Sequence, residues 1–374
     1  MVIGFDAKRL FQNFTGLGNY SRFVVNALQK SFPQHDYVLF TPKIVNRPDV
    51  QPFLNGEYSV VMPTGAWRAL PSLWRTAGLS FTEEVKRLNI YHGLSHELPH
   101  LLPARVKKVL TVHDLIFYRF PEYYNPVDVR IYKWKLKSAC KRADRIIAIS
   151  RQTADDISSF LKVPDHKISV VYQGCHEQFR LRKSDAEIEQ VKRKYRLPKQ
   201  YLLVVGTIEQ RKNAMVTVQA LARLPQSLQL PLVLIGRKTK YAHTVAEQAE
   251  KLGVSDLVLQ LDQVAFSDLP ALYQSAQVFL YPSVFEGFGI PIIEAIWSGV
   301  PVITSTGSCF SEAGGPYTLY VSPHDPGAWS DAIEKVLSDE DLRKEMVEGS
   351  LGHVQRFRPE TIARELMRVY SEEI

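Results

Sequence analysis

The sequence of 374 residues is long for a single hydrophobic core and long enough for two domains. Its 45% apolar and 23% charged residues are typical of a water-soluble globular protein and exclude a disordered or fibrous chain. The three cysteines, Cys140, Cys175 and Cys309, fit no metal-binding or redox spacing, so we expect plain thiols in a reducing compartment.

The net charge of +7 is unevenly distributed along the chain. Residues 1–180 contain 25 Lys and Arg against 15 Asp and Glu, whereas residues 181–374 contain 21 against 24. The basic first half therefore favours an anionic partner. The sequence shows neither a signal-peptide pattern nor an apolar run long enough to span a bilayer, so we expect neither feature.

The first half alternates short apolar runs with helical patterns, which predicts a parallel sheet covered by helices. A loop at 14–20 contains Gly16 and Gly18 and precedes a predicted helix at 21–28. This order suits nucleotide binding, but the third glycine of the dinucleotide fingerprint is missing, and a tight turn fits equally well. The strands predicted in this half are 2–5, 37–40, 59–62, 90–92, 109–112, 145–149 and 168–171.

His113 and Asp114 directly follow a predicted strand. In open α/β sheets, ligands bind at the carboxyl ends of the strands, so this position favours a functional role over a structural one.

Two stretches, 67–75 and 119–142, combine basic and aromatic residues. A solvated helix face and an interfacial surface for anionic lipid both fit this composition. Nucleic-acid binding is a third interpretation, but no module signature supports it, and we do not expect a nucleic-acid partner.

Residues 176–199 are polar and charged, and we place the domain boundary between residues 180 and 181. Alternation of strands and helices then resumes. The predicted helices near the end of the chain are 327–351 and 358–373. The strands predicted in the second half are 201–206, 232–235, 258–261, 278–280, 301–304 and 318–321.

The loop after the first strand of the second half brings Arg211 and Lys212 to the sheet edge. A bidentate arginine beside a lysine suits a diphosphate, although a solvated surface pair is the alternative.

Residues 281–301 are the stretch where we expect the chemistry. The loop 286–290 joins a strand end to a predicted helix that has Pro291 at its first position and Gly299 just beyond its end. Free N–H groups at a helix N-terminus attract anions, and glycines allow a ligand to approach the backbone closely.

Two carboxylates belong to this stretch. Glu286 suits hydrogen bonds from the hydroxyl groups of a neutral moiety beyond a phosphate. Glu294, which we place in the first helical turn, suits a ribose. A solvated loop residue and a favourable first-turn acid are the alternatives.

Five motifs occur in order: GLGNY (16–20), TVHDL (111–115), ADRIIAIS (143–150), GTIEQRKN (206–213) and FEGFGIPIIEA (285–295). Together they resemble glycosyltransferase family 4, the retaining nucleotide-sugar enzymes of the GT-B fold, over nearly the whole chain. The resemblance implies an α/β fold with two Rossmann-like, doubly wound parallel-sheet domains facing across a cleft. Residues 1–180 would bind the acceptor, 181–356 would bind the nucleotide sugar, and a helix at 357–374 would cross back to the first domain.

The resemblance also implies residue roles. His113 would lie near the reacting carbon, Arg211 and Lys212 would hold the diphosphate, and Glu286 would accept from sugar hydroxyls. Tyr20 and Asp114 would contact the acceptor. The implied donor-binding set further contains Gly16, Gly18, Gly206, Gly236, Val264, Gly287, Phe288, Gly289, Ile290 and Glu294.

The resemblance implies catalysis without a metal or other cofactor. Similarity to bacterial mannosyltransferases favours GDP-mannose as donor, with UDP-sugars as the alternative. We expect a glycan or lipid-linked acceptor and a cytoplasmic enzyme at the inner membrane face. A non-catalytic nucleotide-sugar binder and, less favoured, a GT-B epimerase are the remaining alternatives.

Overall fold

The computed structural model describes residues 1–372 and divides the chain into two compact units. Unit 1 comprises Met1–Gly174 together with the segment from Phe357 onward, and unit 2 comprises Cys175–Arg356. The first crossing between the units therefore lies slightly before the predicted boundary at 180/181. The predicted second boundary at 356/357 coincides with the return to unit 1.

Unit 1 contains one parallel sheet of seven strands in the order β3-β2-β1-β4-β5-β6-β7. Its five inner strands are mostly buried, as expected for a sheet with helices on both faces, whereas the edge strands Ser59–Val61 and Ile168–Val170 are partly exposed. The strands are β1 Val2–Asp6, β2 Asp36–Phe40, β3 Ser59–Val61, β4 Ile90–Gly93, β5 Lys107–Val112, β6 Arg145–Ala148 and β7 Ile168–Val170. The α-helices that accompany them are α1 Lys8–Gln12, α2 Gly16–Ser31, α3 Pro71–Thr76, α4 Ile116–Arg119, α5 Pro126–Arg142 and α6 Arg151–Leu161.

Unit 2 repeats this architecture with six parallel strands in the order β10-β9-β8-β11-β12-β13. The strands are β8 Leu202–Val205, β9 Leu232–Ile235, β10 Val258–Leu261, β11 Val278–Tyr281, β12 Val302–Ser305 and β13 Leu319–Val321. The α-helices are α7 Asp185–Lys194, α8 Ala214–Leu221, α9 Lys240–Lys251, α10 Leu269–Gln274, α11 Ile290–Trp297, α12 Phe310–Gly314, α13 Pro326–Ser338 and α14 Glu340–His353.

The last helix, α15 (Pro359–Ser371), packs against α2 in unit 1. The buried Lys107 ammonium donates to the carbonyl of Val369 at 2.7 Å, and the Tyr370 hydroxyl is 2.7 Å from His92 Nδ1. These bonds fix the helix to the sheet of unit 1. Residues 373 and 374 of the predicted terminal segment lie outside the described residues.

All 13 predicted strands are present in the two sheets, with ends displaced by at most two residues. The prediction of two parallel α/β domains is therefore confirmed. The predicted single helix at 327–351 was wrong, because the backbone is extended at Asp339 and separates α13 from α14. The Asp339 carboxylate accepts from the N–H of Leu342 at 2.8 Å and caps the second helix.

The predicted glycine-rich loop at 14–20 was also wrong, because α2 already begins at Gly16. The Asn13 side-chain oxygen accepts from the N–H groups of Thr15 at 2.9 Å and Gly18 at 3.1 Å. This side chain satisfies donors that a helix start leaves free. Gly18 is required by packing, since a Cβ atom there would lie 1.7 Å from the Asn13 carbonyl oxygen.

Within residues 1–372, none of the helices combines the length and the apolar character needed to cross a membrane.

We expect Gly18→Ala to lower the free energy of unfolding by about 1–3 kcal/mol, because the new methyl group overlaps the Asn13 carbonyl. The intrinsic helix preference of alanine, about 1 kcal/mol, offsets only part of this loss. Urea titration measures the change.

Gly16→Ala is the matched control, since no atom of residues 1–372 other than its chain neighbours and its own helical backbone lies within 4 Å of its Cβ position. A change within about 0.5 kcal/mol is expected. Equal effects of the two substitutions would contradict the packing explanation.

Candidate functional site in unit 2

The candidate site lies where the strand order of unit 2 reverses. Strands β8 and β11 are neighbours in the sheet, but the chain leaves β8 toward β9 and leaves β11 toward β12. In open α/β sheets such a switch point opens a crevice at the carboxyl ends of the strands. Arg211 and Lys212 follow β8, and Glu286 follows β11. The topology therefore brings these three side chains to one place.

The buried Glu286 carboxylate lies between the two cations. Its Oε1 atom is 2.5 Å from Lys212 Nζ and 2.8 Å from an Arg211 guanidinium nitrogen. Arg211 also pairs with Glu209 at 2.7 Å and donates to the Phe285 carbonyl at 2.8 Å. Glu209 was not predicted as a site residue, although its place two residues before Arg211 in the sequence is a usable signal.

This arrangement decides the protonation state of Glu286. Burial alone raises the pKa of its carboxyl, but Lys212 and Arg211 outweigh burial and lower the pKa to about 2. Burial opposes the charge on Arg211, but Glu286 and Glu209 more than compensate and raise the guanidinium pKa. Near neutral pH, Glu286 is therefore an ionised hydrogen-bond acceptor and has no proton to donate.

One backbone hydrogen bond and the side chains of Ser308 and Cys309 fix the loops that carry these side chains. The Val284 N–H donates to the Arg211 carbonyl at 2.9 Å and connects the β11 loop to the β8 loop. Ser308 accepts from the Glu286 N–H at 3.2 Å and donates to the Glu286 carbonyl at 2.9 Å. The Cys309 thiol donates to the Phe288 carbonyl at 2.8 Å. Ser308 and Cys309 were missed because their role depends on contacts more than 20 residues away in sequence.

The loop 286–290 leads directly into α11. Gly289 has φ of 110°, a conformation that side-chain-bearing residues rarely adopt, and it precedes the first helical residue, Ile290. Phe288 is buried. The N–H groups at the start of α11 and the cations of the β8 loop thus belong to the same edge of the sheet, which is a suitable environment for an anion.

Glu294 lies in the second turn of α11, so its predicted place in the first turn was wrong. Glu294 is buried, with only 9% of its surface exposed. The Tyr273 hydroxyl donates to its Oε2 atom at 3.0 Å. Burial raises the pKa of the Glu294 carboxyl from 4.5 to about 7, and the Tyr273 hydrogen bond opposes this shift only partly. The two predicted carboxylates therefore have opposite pKa shifts.

The two predicted strand-end glycines of unit 2, Gly206 and Gly236, are in contact. A Cβ atom on Gly236 would lie 1.9 Å from the Gly206 carbonyl oxygen, so this glycine allows the ends of β8 and β9 to approach. The aliphatic chain of Lys212 passes about 3.7 Å from the Cβ position of Gly206. Val264 is half-buried in the loop after β10.

The other predicted site residues belong to unit 1. His113 is buried after β5, its Nε2–H donates to the Leu94 carbonyl at 2.8 Å, and its N–H donates to His96 Nε2 at 2.7 Å. Burial, with a smaller contribution from His96, lowers the pKa of His113 to about 4. His113 is therefore a neutral imidazole near pH 7. The Asp114 carboxylate accepts from the N–H of Ile116 at 3.1 Å.

Tyr20 is almost fully buried, and its ring contacts His113 edge-on at 4.6 Å between centroids. Its hydroxyl lies 3.1 Å from the Thr111 hydroxyl, which in turn is 2.8 Å from His92 Nε2. This hydrogen bond, absent from the sequence reasoning, occupies the polar atom that was predicted to contact an acceptor.

Two families match consecutive parts of the chain. Residues 14–179 match the family described as Glycosyltransferase Family 4, and residues 185–351 match the one described as Glycosyl transferases group 1. The O-antigen chain mannosyltransferase B of Escherichia coli is 28% identical over 99% of both chains. The O-antigen chain mannosyltransferase RfbU of Salmonella typhimurium is 30% identical over 63% of both chains. The match therefore covers less than two thirds of RfbU.

Solved structures share the fold at low sequence identity. HepE from Anabaena, solved in complex with UDP-glucose, has a TM-score of 0.74 at 16% identity, with 99% of both chains covered. WaaG, described as a glycosyltransferase involved in lipopolysaccharide biosynthesis, has a TM-score of 0.72 at 16% identity, with both chains fully covered.

The raised pKa of Glu294 has a consequence for stability. Between pH 4.5 and 7 the unfolded chain loses this proton while the folded chain keeps it, so stability falls as pH rises through this window. Glu294→Gln removes the titrating group but keeps an acceptor for Tyr273. We compare the free energy of unfolding of the variant with that of the parent at each pH. We expect this difference to be roughly 2 kcal/mol more favourable to the variant at pH 8 than at pH 5.

Urea unfolding of both proteins at the two pH values measures this difference. Glu345→Gln, at an exposed position of α14, is the control and should show the same difference from the parent at both pH values. A pH-independent effect of Glu294→Gln would contradict the raised pKa.

Proposed function

This chain belongs to the glycosyltransferases of family 4 and group 1 and has the two-domain GT-B fold, and we propose its activity from this premise. We propose that it transfers mannose from GDP-mannose with retention of configuration. The proposed acceptor is a glycan or a lipid-linked glycan, in the synthesis of a cell-surface polysaccharide such as O-antigen. The observation that carries the proposal is the ionised Glu286 held by Lys212 and Arg211 at the start of α11.

The geometry suits departure of a nucleoside diphosphate. Cleavage of the anomeric bond leaves an oxocarbenium-like sugar, and negative charge grows on the departing diphosphate. Donors and cations that are already in place stabilise such charge without reorganisation. Lys212, Arg211 and the N–H groups at the start of α11 would supply this stabilisation, and we propose that no metal is needed.

Glu286 suits recognition of the sugar rather than covalent catalysis. A pKa of about 2 excludes a role as general acid near neutral pH, and two close cations make the carboxylate a weak nucleophile. Its oxygens can accept hydrogen bonds from sugar hydroxyls. We therefore propose front-face attack, with a phosphate oxygen of the donor accepting the proton of the acceptor hydroxyl.

The donor sugar and nucleotide are proposed on different grounds. The relatives named O-antigen chain mannosyltransferases support mannose, and with it GDP-mannose. A UDP-sugar is the second candidate, because HepE was solved with UDP-glucose. We propose that the buried Glu294 accepts hydrogen bonds from the ribose hydroxyls of either nucleotide.

We also propose contact with the cytoplasmic face of an anionic membrane. Helix α5 exposes Val127, Ile131 and Trp134, which are spaced for one helix face. Exposed lysines, Lys135 and Lys137, lie on the same helix. Exposed apolar and aromatic side chains flanked by cations suit an anionic bilayer surface.

We expect GDP-mannose to raise the melting temperature by several degrees at saturating concentration, because a ligand that binds only the folded state stabilises it. UDP-glucose and UDP-N-acetylglucosamine should give smaller shifts. Thermal-shift titration measures all three, with Lys212→Ala as the variant in which the shift should decrease. A larger shift with a UDP-sugar would contradict GDP-mannose and indicate that the UDP-sugar is the donor.

Removal of Lys212 or Glu286 should affect binding and transfer differently. Lys212→Ala should weaken the binding of GDP alone about tenfold, because a charge-assisted contact to the diphosphate is lost. Glu286→Ala should keep GDP affinity, since both cations remain, but lower kcat/KM for sugar transfer on the order of 100-fold.

Lys344→Ala, at an exposed position of α14, is the control and should behave like the parent. Calorimetry with GDP and a sugar-transfer assay provide the two readouts. Near-normal transfer by either site variant would argue against the proposed roles.

A further inference from the structure

A second cavity, in unit 1, lies at the other point where strand order reverses. Strands β1 and β4 are neighbours, and the chain leaves them toward opposite sides of the sheet. The cavity measures about 490 Å³, which is within the usual range for small-molecule sites. Its walls include residues that follow three strand ends: Lys8 after β1, Lys43 after β2, and Glu97 after β4.

Helices α3 and α5 complete the walls of this cavity. Arg75 comes from α3, and Trp134, Lys135 and Arg142 come from α5. The two basic-aromatic stretches of the sequence thus meet around one cavity, although 43 residues (76–118) lie between them in the chain.

The cavity has an excess of positive charge. Its lining contains five cationic side chains, Lys8, Lys43, Arg75, Lys135 and Arg142, and one carboxylate, Glu97. Glu97 is shared by Arg75 and by Lys135, which is 3.7 Å away, and the buried Asp6 carboxylate lies 4.0 Å from Arg75. Within residues 1–372, neither Lys8 nor Lys43 forms an ion pair.

Two cationic side chains of the cavity, Arg142 and Lys8, have surroundings that leave their positive charge poorly compensated. The Arg142 Nε atom is buried without a hydrogen-bond partner in the described part of the chain, although its other nitrogens bond Ser138 and the Leu98 carbonyl. Burial, together with the neighbouring Arg75 and Arg9, lowers the pKa of the Lys8 ammonium. Like charges crowded at a concave site favour a polyanion that can contact several of them at once.

An apolar surface adjoins this cationic cavity. Trp134 lines the cavity and is 65% exposed, and it continues the row of Val127 and Ile131 along α5. On α3, Leu73 is half exposed, two residues before Arg75. A ligand with an anionic head in the cavity could therefore place an apolar chain against these side chains.

We infer that this cavity binds the phosphate or diphosphate head of a lipid-linked ligand, with the lipid chain on the exposed face of α5. Planar guanidinium groups and lysine ammonium groups suit phosphate oxygens, and the two carboxylates of Glu97 and Asp6 do not neutralise five cations. That this ligand is the sugar acceptor rests on the proposed function. The binding itself does not depend on the donor or on sugar transfer.

Farnesyl diphosphate, a soluble prenyl diphosphate, is the probe, and isothermal calorimetry measures its dissociation constant. Farnesol tests the chain without the head, and inorganic diphosphate tests the head without the chain. Farnesyl diphosphate should bind at least tenfold more tightly than either part. Lys8→Gln and Lys43→Gln should each weaken its binding about tenfold, through loss of a charge-assisted contact.

Lys137→Gln is the matched control, because this lysine is exposed on α5 and does not line the cavity. It should leave farnesyl diphosphate binding unchanged but weaken adsorption to phosphatidylglycerol vesicles. Equal losses for Lys8→Gln and Lys137→Gln would indicate diffuse attraction to anions and overturn the site. Equal affinity for farnesol and farnesyl diphosphate would overturn it as well.

The thermal shift caused by GDP-mannose separates this inference from the proposed function. Lys8→Gln should keep that shift, since the candidate donor site lies in unit 2. A normal donor shift with unchanged farnesyl diphosphate binding in Lys8→Gln would overturn only the lipid-phosphate site. If GDP-mannose causes no thermal shift but Lys8→Gln weakens farnesyl diphosphate binding as expected, only the proposed function is overturned.

Discussion

The contact of Glu286 with Lys212 and Arg211 is the interaction on which the candidate site depends. A buried carboxylate without partners would be strongly disfavoured, and the two cations remove that cost only because the β8 and β11 loops meet. The backbone bond from Val284 to Arg211 holds the same two loops together. The charged contact and the strand order of the sheet therefore support one another.

Two carboxyl groups eight residues apart differ in charge state because their surroundings differ. Glu286 lies against cations and stays ionised, whereas Glu294 lies beside Tyr273 in an apolar interior and holds its proton up to about pH 7. Burial acts on both in the same direction, so the nearby charges decide the outcome.

Both units place polar and charged residues where the strand order reverses, but the balance of charge differs. In unit 2, two cations face Glu286 and Glu209 and are close to neutral as a group. In unit 1, five cations around the cavity face only Glu97 and Asp6 among the described residues. This contrast agrees with the basic first half of the sequence, which favours an anionic partner for unit 1.

The sequence by itself determined the strands and the two-domain alternation, because buried parallel strands are continuous apolar runs that can be read locally. It also placed Glu286, Arg211 and Lys212 at strand ends. Only the tertiary structure decided that these charges touch, that Gly16 starts a helix, and that Ser308 supports the site loop. The physical reason is that pKa values, loop contacts and cavities arise between segments distant in sequence, whose pairing is set by strand order and packing.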